Sequence, residues 1–211
     1  MERLMRRGAE ADIYLGEWFG KEAILKIRKP KPYRQKELDM EIRKRRTLHE
    51  ASFLVEARKA GVLTPLVYFI DPKNAEIVMQ YIKGMRLREM IFDQRANVDE
   101  LCSEVGRSIA KLHGSSIIHG DLTTSNFLVV DNSTLIFIDF GLAFFSQRLE
   151  DMAVDLHLMK EVLTSAHSEV ADRAFSLILK GYESIAGANR VKDLTRKMGE
   201  IERRGRYARV E

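Results

Sequence analysis

The stretch His119-Gly120-Asp121-Leu122-Thr123-Thr124-Ser125-Asn126 and, one apolar hairpin later, Ile138-Asp139-Phe140-Gly141 hold the residue types that transfer of a phosphoryl group demands. That reaction asks for little covalent chemistry from a protein. It needs a carboxylate that orients the attacking hydroxyl and hard oxygen ligands for magnesium. Asp121 is placed to accept the nucleophile's proton, and Asn126 to reach a magnesium ion from the same loop. Asp139 would bridge magnesium to the phosphates of ATP, and Gly141 frees the backbone to turn directly after it. Asp-Phe-Gly alone is a weak signal, since Asp and Gly are ordinary turn residues at a strand end; the two motifs joined by one hairpin are specific.

Other residues complete a nucleotide grip. Lys26 sits mid-strand between Leu25 and Ile27, where an ammonium is costly unless it meets a phosphate or a carboxylate; the alternative is an edge-strand lysine facing water. Its expected partner is a glutamate of the following helix. Glu50 shares helical spacing with Leu54 and Ala57 and is preferred over the rival Glu56. Gly8-Ala9-Glu10-Ala11 occupies the turn between the first two strands, with a single glycine and, counting Asp12, two acids that would repel phosphates aimed at them. Either Glu10 meets a lysine or a metal, or both acids face water. Met79, Gln80 and Ile82 would present backbone groups and one thioether to adenine, although Met is also a common gap filler.

The elements that must carry these residues follow from periodicity. Ile13-Tyr14-Leu15 and Ala23 to Ile27 read as strands around Phe19-Gly20. A helical pattern runs from Glu41 to Ala60, with Leu48, Ala51, Phe53, Leu54, Val55 and Ala57 recurring, and stops at Gly61. Strands follow at Leu66 to Ile70 and Glu76 to Tyr81 around Asp71-Pro72-Lys73-Asn74, then a helix from Val98 to His113, a hairpin of Phe127 to Val130 with Leu135 to Ile138, and helices beyond Glu150. The fold class is therefore α+β: a small antiparallel sheet with one helix over residues 1–82, and a helical part with the catalytic and metal-binding loops over residues 83–211. A ligand cleft is expected between them, near Tyr81 to Met85.

Composition sets the outer bounds. The 211 residues are 45% hydrophobic and 31% charged, which is globular composition, and no apolar run is long enough to span a bilayer. The chain begins Met1-Glu2-Arg3, without a signal-peptide pattern, so the expectation is a soluble, cytoplasmic protein with no membrane partner. Cys102 is the one cysteine, which excludes an internal disulfide and a cysteine-based zinc site and reads as a small buried hydrophobe. The net charge of +4 conceals basic crowding at Lys26 to Lys36, Arg43 to Arg46 and Arg196 to Arg209. These are either solvated faces and phosphate ligands or a surface for RNA or an acidic protein.

Together these residues resemble a protein kinase. Gly8-Ala9-Glu10-Ala11, Arg46-Thr47-x-x-Glu50-Ala51, Ala60-Gly61-Val62-x-Thr64-Pro65, the His-Gly-Asp loop, Glu150-Asp151-x-Ala153-Val154-Asp155-Leu156 and Arg203-x-Gly205-Arg206 narrow the likeness. The chain is similar to the small atypical kinase subunit of the KEOPS complex, the PRPK family, over nearly its whole length. That resemblance implies a minimal bilobal kinase-like fold, ATP and magnesium as ligands, nucleotide contacts by Lys26 and Glu50, catalytic Asp121, and metal ligands Asn126 and Asp139. It also implies partners: the tRNA threonylcarbamoyltransferase subunit, other KEOPS subunits and, through the complex, tRNA. Gly120 stands where many kinases have arginine, Thr123 where many have lysine, and no Ala-Pro-Glu follows the short Leu142 to Leu149 segment. A peptide platform is therefore not expected. Gln80, where an acid is common, and Tyr207-Ala208, where the tail is usually basic, depart from the family. The reading is an ATP-hydrolysing subunit that serves tRNA modification and phosphorylates serine or threonine, itself included; the alternative is a RIO-like kinase acting on a separate protein.

Overall fold

The computed structural model describes residues 3–93 and 97–207, the last three by backbone alone. The first part is a sheet in which β1 (Arg3–Arg7), β2 (Ala11–Trp18), β3 (Lys21–Arg28), β4 (Val67–Asp71) and β5 (Glu76–Gln80) lie antiparallel in the order β1-β2-β3-β5-β4. Phe19 and Gly20 both take positive φ, 47° and 78°, the left-handed pair that lets a two-residue loop follow the twist of its strands. In this register Lys26 lies between Ile13 on β2 and Ile77 on β5, in the interior of the sheet and not at an edge.

Helix α1 (Lys36–Lys59) crosses behind the sheet and starts ahead of the expected Glu41. Apolar periodicity could not reveal that first turn, because charge holds it. Glu37 and Asp39 sit at the positive end of the helix dipole. The Asp39 carboxylate also accepts the Lys31 N–H at 3.2 Å and pairs with Arg34 and Arg43. Two residues of the expected apolar face, Leu48 and Val55, are exposed; Ala51, Phe53, Leu54 and Ala57 form the buried face, with Glu50 among them.

After Gln80 the chain enters β6 (Met85–Arg86), α2 (Leu87–Phe92), α3 (Val98–Gly114) and β7 (Ile117–Ile118). A 3-10 turn at Thr124–Asn126 leads into the hairpin of β8 (Phe127–Val130) and β9 (Thr134–Phe137), and β10 (Phe144–Phe145) pairs back with β7. Three helices complete the fold: α4 (Leu149–Ala166), α5 (Ala171–Ala186) and α6 (Ala188–Tyr207). α3 and α5 approach so closely that a Cβ on Gly106 would stand 1.9 Å from the Ile178 carbonyl oxygen, and one on Gly181 1.9 Å from that of Ser103. Only glycine permits this backbone contact. Cys102 is buried in the same core. α6 docks through Leu194 and Met198, and its basic end continues as helix, with Arg204 bonded to Glu150 at 2.6 Å. Met1 and Glu2 at the start, and the side chains of Arg206 and Tyr207 with all of residues 208–211 at the end, lie outside the described set. Among the described residues no helix is long and apolar enough to cross a membrane.

Candidate active site

Strand alternation puts Lys26 and Arg28 on one face of β3, turned toward α1. Glu50, fully buried on α1, receives both: Lys26 Nζ donates to Oε1 at 2.5 Å and Arg28 Nη2 to Oε2 at 2.6 Å. Glu56, the rival partner, instead bonds Lys59 on the surface. Lys26 also donates to Asp139 Oδ2 at 3.1 Å, so two cations and two carboxylates alternate. Burial works against the charge on Lys26, but Glu50 and Asp139 outweigh it and hold the ammonium above its ordinary value. Burial pushes the Glu50 carboxyl up, against the pull of Lys26 and Arg28. Asp139 goes the other way: burial raises it, yet Lys26 and the Gly141 N–H, 3.0 Å from Oδ1, keep it below the usual range and ionised.

The turn over this site is closed by basic residues. Gly8 N–H donates to the Ala11 carbonyl at 3.0 Å, and a Cβ on Gly8 would sit 2.5 Å from that oxygen, which explains the glycine. Both acids of the turn are paired, Glu10 while still exposed to water and Asp12 more deeply. Glu10 accepts from Arg46 at 2.6 Å and from Arg28 at 3.4 Å, and Asp12 pairs with Lys29 at 3.1 Å. The ion-pair partners of Glu10 are thus arginines, where a lysine was expected. Burial opposes its charge, but Arg46, Arg28 and Lys31 prevail and hold its carboxyl down. The two carboxylates thus meet arginine and lysine, which offset their charge beside the cleft.

Below the cleft, Asn126 Nδ2 donates to Asp121 Oδ2 at 2.9 Å and to the Asp121 carbonyl at 3.0 Å. The loop that holds them is anchored from α4. Buried Asp155 accepts the N–H groups of His119 at 2.8 Å and Gly120 at 2.9 Å, while His113 Nε2 lies 3.2 Å away. Gly120 has φ 76°, and a Cβ there would meet the Leu142 carbonyl at 2.4 Å. The absence of an arginine at this position therefore follows from space as well as from backbone conformation. His119 packs between Phe137 and Phe140, and burial lowers its imidazole well below the ordinary value.

A cavity of about 750 Å³ unites these groups. Lys26, Asp121, Asn126 and Asp139 line it, with Gly8, Glu10 and Ala11 above and Met79, Gln80 and Ile82 at its back. Two predicted ligands do not reach it. Ala9 instead gives its carbonyl to Lys31 Nζ at 2.6 Å, and Glu50 stands behind Lys26, a positioning group with no surface of its own. Arg28, which sequence reasoning passed over, does line the cavity; its place two residues beyond Lys26 on one strand was the available signal. At the back, Gln80 N–H is taken by the Leu66 carbonyl at 2.8 Å and Tyr81 N–H by that of Glu22 at 3.3 Å. This leaves Ile82 N–H without an acceptor among the described residues.

The donor set suits magnesium, with a carboxylate from Asp139 and an amide oxygen from Asn126, whose nitrogen is already spent on Asp121. Among the described residues no group of three or more His, Cys, Asp or Glu side chains is arranged to hold a metal. An ion in this cleft therefore needs water and phosphate oxygens as its remaining ligands.

The protein kinase domain family matches residues 7–176 of the chain. KEOPS complex subunit Bud32 of Pyrococcus abyssi is 44% identical over 97% of this chain and 96% of its own. A probable bifunctional tRNA threonylcarbamoyladenosine biosynthesis protein of Methanothermobacter thermautotrophicus is 43% identical over 97% of this chain, which spans only 36% of that longer protein. The Rio2 kinase of Chaetomium thermophilum superposes with a TM-score of 0.56 at 17% identity, over 95% of this chain and 73% of its own, and bears on fold alone. With a kinase-like architecture, a Lys-Glu-Asp cluster over the cleft and nearly full-length similarity to a KEOPS subunit, the chain belongs to the Bud32 family of small protein-kinase-like proteins.

Proposed function

We propose that this chain is the ATP-dependent, kinase-like subunit of a KEOPS-type complex and serves threonylcarbamoyl modification of tRNA. ATP and Mg2+ would fill the cleft, with ATP turnover and phosphorylation of serine or threonine, its own included, as the chemistry. In this reading adenine meets Ile82 N–H beside Met79, Lys26 holds phosphate oxygens, and Asp139 and Asn126 hold magnesium. The ion, when bound, neutralises charge on the phosphates and keeps them in line with the nucleophile. Asp121 orients the attacking hydroxyl or water and takes up its proton. Glu50 and Arg28 keep Lys26 extended over the cleft, and Asp155 keeps the Asp121 loop from drifting.

The observation that carries the reading is the 3.1 Å contact between Lys26 and Asp139, which joins the sheet to the metal-binding turn across the cleft with both groups charged. The relatives' names supply the biological setting. In the bifunctional relatives the matching segment is 36% of a longer chain, which supports a second protein working beside this one. The expected partners are the tRNA threonylcarbamoyltransferase subunit and other KEOPS subunits. The cytoplasm is the expected site of action.

The test is ATP turnover by the purified chain, alone and then with the transferase subunit and tRNA. Turnover that rises with both additions supports the proposal. Turnover indifferent to them, with phosphate transferred to an unrelated protein, favours the RIO-like alternative.

A further inference from the structure

Strand β1 does not run evenly along β2. Its register slips between Leu4 and Arg6, and both Met5 and Arg6 line the cleft, where regular alternation would turn only one of them inward. Arg86 lines the same cleft from β6, half-buried, and its Nη1 donates to the Ser125 carbonyl at 3.2 Å. Ser125 belongs to the loop of Asp121 and Asn126, so Arg86 is fixed beside the catalytic carboxylate. Among the described residues neither Arg6 nor Arg86 has a carboxylate within ion-pair distance, whereas Arg28, Arg34, Arg43, Arg46 and Arg107 all do. Burial, with the like charges of Arg6 and Arg88, lowers the Arg86 guanidinium below its ordinary value against the single counterweight of Glu89.

Two cations held near one another with Glu89 as their one nearby counter-charge among the described residues oppose folding, and an anion between them relieves that opposition. The planar guanidinium fork matches the oxygens of phosphate. The surroundings extend the pattern: Arg3 and Arg7 are exposed on the same strand, and Arg88 lies 5.7 Å over the exposed ring of Phe92. Spaced guanidiniums beside an aromatic face suit a nucleic-acid strand, which offers phosphates and bases together. An acidic peptide would use the charges but bring no base to stack beside Arg88 and Phe92.

We propose that Arg6 and Arg86 form a phosphate subsite at the mouth of the cleft that takes a backbone phosphate of an RNA strand. The proposal rests on the tRNA-linked function above and adds the place where RNA meets the nucleotide site. RNA bound there lies against Ser125, and so against the loop that carries Asp121.

The experiment measures binding of a short fluorescent stem-loop RNA and of a fluorescent oligo-glutamate peptide to the full chain across a salt series. The variants are R6Q/R86Q, Arg86→Lys and a control, R107Q/R173Q, which removes the same charge from ion pairs elsewhere. R6Q/R86Q should weaken RNA binding about tenfold and make the salt dependence shallower by roughly one to two phosphate equivalents. Arg86→Lys, which keeps charge but loses the fork, should fall between, and the control should change affinity less than about twofold. Equal losses in both double variants would mean bulk charge and overturn the proposal, as would unchanged RNA affinity in R6Q/R86Q. Loss confined to the peptide would replace RNA with an acidic protein and also overturn it. Melting curves verify the fold, and Arg86→Lys carries the test if the double variant unfolds. ATP turnover of the unmodified chain is read separately: its absence refutes the nucleotide reading of the cleft, while unchanged RNA affinity refutes the subsite alone.

Discussion

Arg28 and Glu50 form a buried ion pair of 2.6 Å, two strand positions beyond the lysine that shares the same carboxylate. Glu50 is thus held from both sides, and Lys26 does not depend on a single bond for its orientation. Removing one of its two cations leaves the buried Glu50 carboxylate with Lys26 alone and only partly compensated. Arg28→Met should therefore lower stability by about 2 to 4 kcal/mol and raise the KM for ATP. In a double-mutant cycle with Glu50→Gln, read by melting, the coupling should exceed about 1 kcal/mol. Additive effects would show that the two residues act independently.

Asp139 stands at the cleft surface with no role in the apolar core. Asp139→Ala should abolish magnesium-dependent turnover while stability changes by about 1 kcal/mol or less in either direction, because Lys26 keeps Glu50. A folded variant with near-normal turnover would remove Asp139 from the metal site.

Gly106 tests the close approach of α3 and α5. Gly106→Ala places a methyl group 1.9 Å from a backbone oxygen, and backbone cannot yield as a side-chain tip does. A loss of about 3 kcal/mol or more is expected by chemical denaturation, although alanine favours a helix more than glycine does. A stabilised variant would mean that the helices separate easily.

His119 gives a pH signature. Burial lowers its value from the ordinary 6.5, so below that pH the unfolded chain takes up a proton that the folded chain resists. The unfolded state then binds more protons, and stability must fall as pH drops from about 6.5 toward the folded value. His49 and His167, also lowered by burial, add to the slope. The melting temperature should decline between about pH 7 and pH 5, and His119→Phe should make that decline shallower. An unchanged slope in the variant would show that His119 does not contribute.

How much of this was legible beforehand depends on distance along the chain. The Asp121 to Asn126 loop and the Asp139 turn could be read because their geometry is local: five residues of one loop, one hairpin, one turn. The strands on either side of Phe19-Gly20 and the inward place of Glu50 were equally open to inspection, since alternation and helical spacing are properties of neighbouring residues. The start of α1 was missed because its first turn is stabilised by Asp39 with Lys31, Arg34 and Arg43, and charges leave no apolar period. Leu48 and Val55 matched the period yet lie exposed, although Phe145 packs against Phe53 one turn away.

The sequence by itself determined which residue types stand at the cleft and what chemistry they can perform. Only the tertiary structure decided which charge meets which. Arg28 with Glu50, Glu10 with Arg46, and Asp155 with Gly120 join residues 22, 36 and 35 positions apart. Spacing along a strand or helix says nothing about such pairs. They are selected when the sheet, α1 and α4 close around one core; the buried charges must find a partner there, and the exposed Glu10 and Arg46 are brought together by the same closure. The slip in β1 that brings the exposed Arg6 to the cleft belongs to the same category, because a bulge exists only in relation to the strand it pairs with.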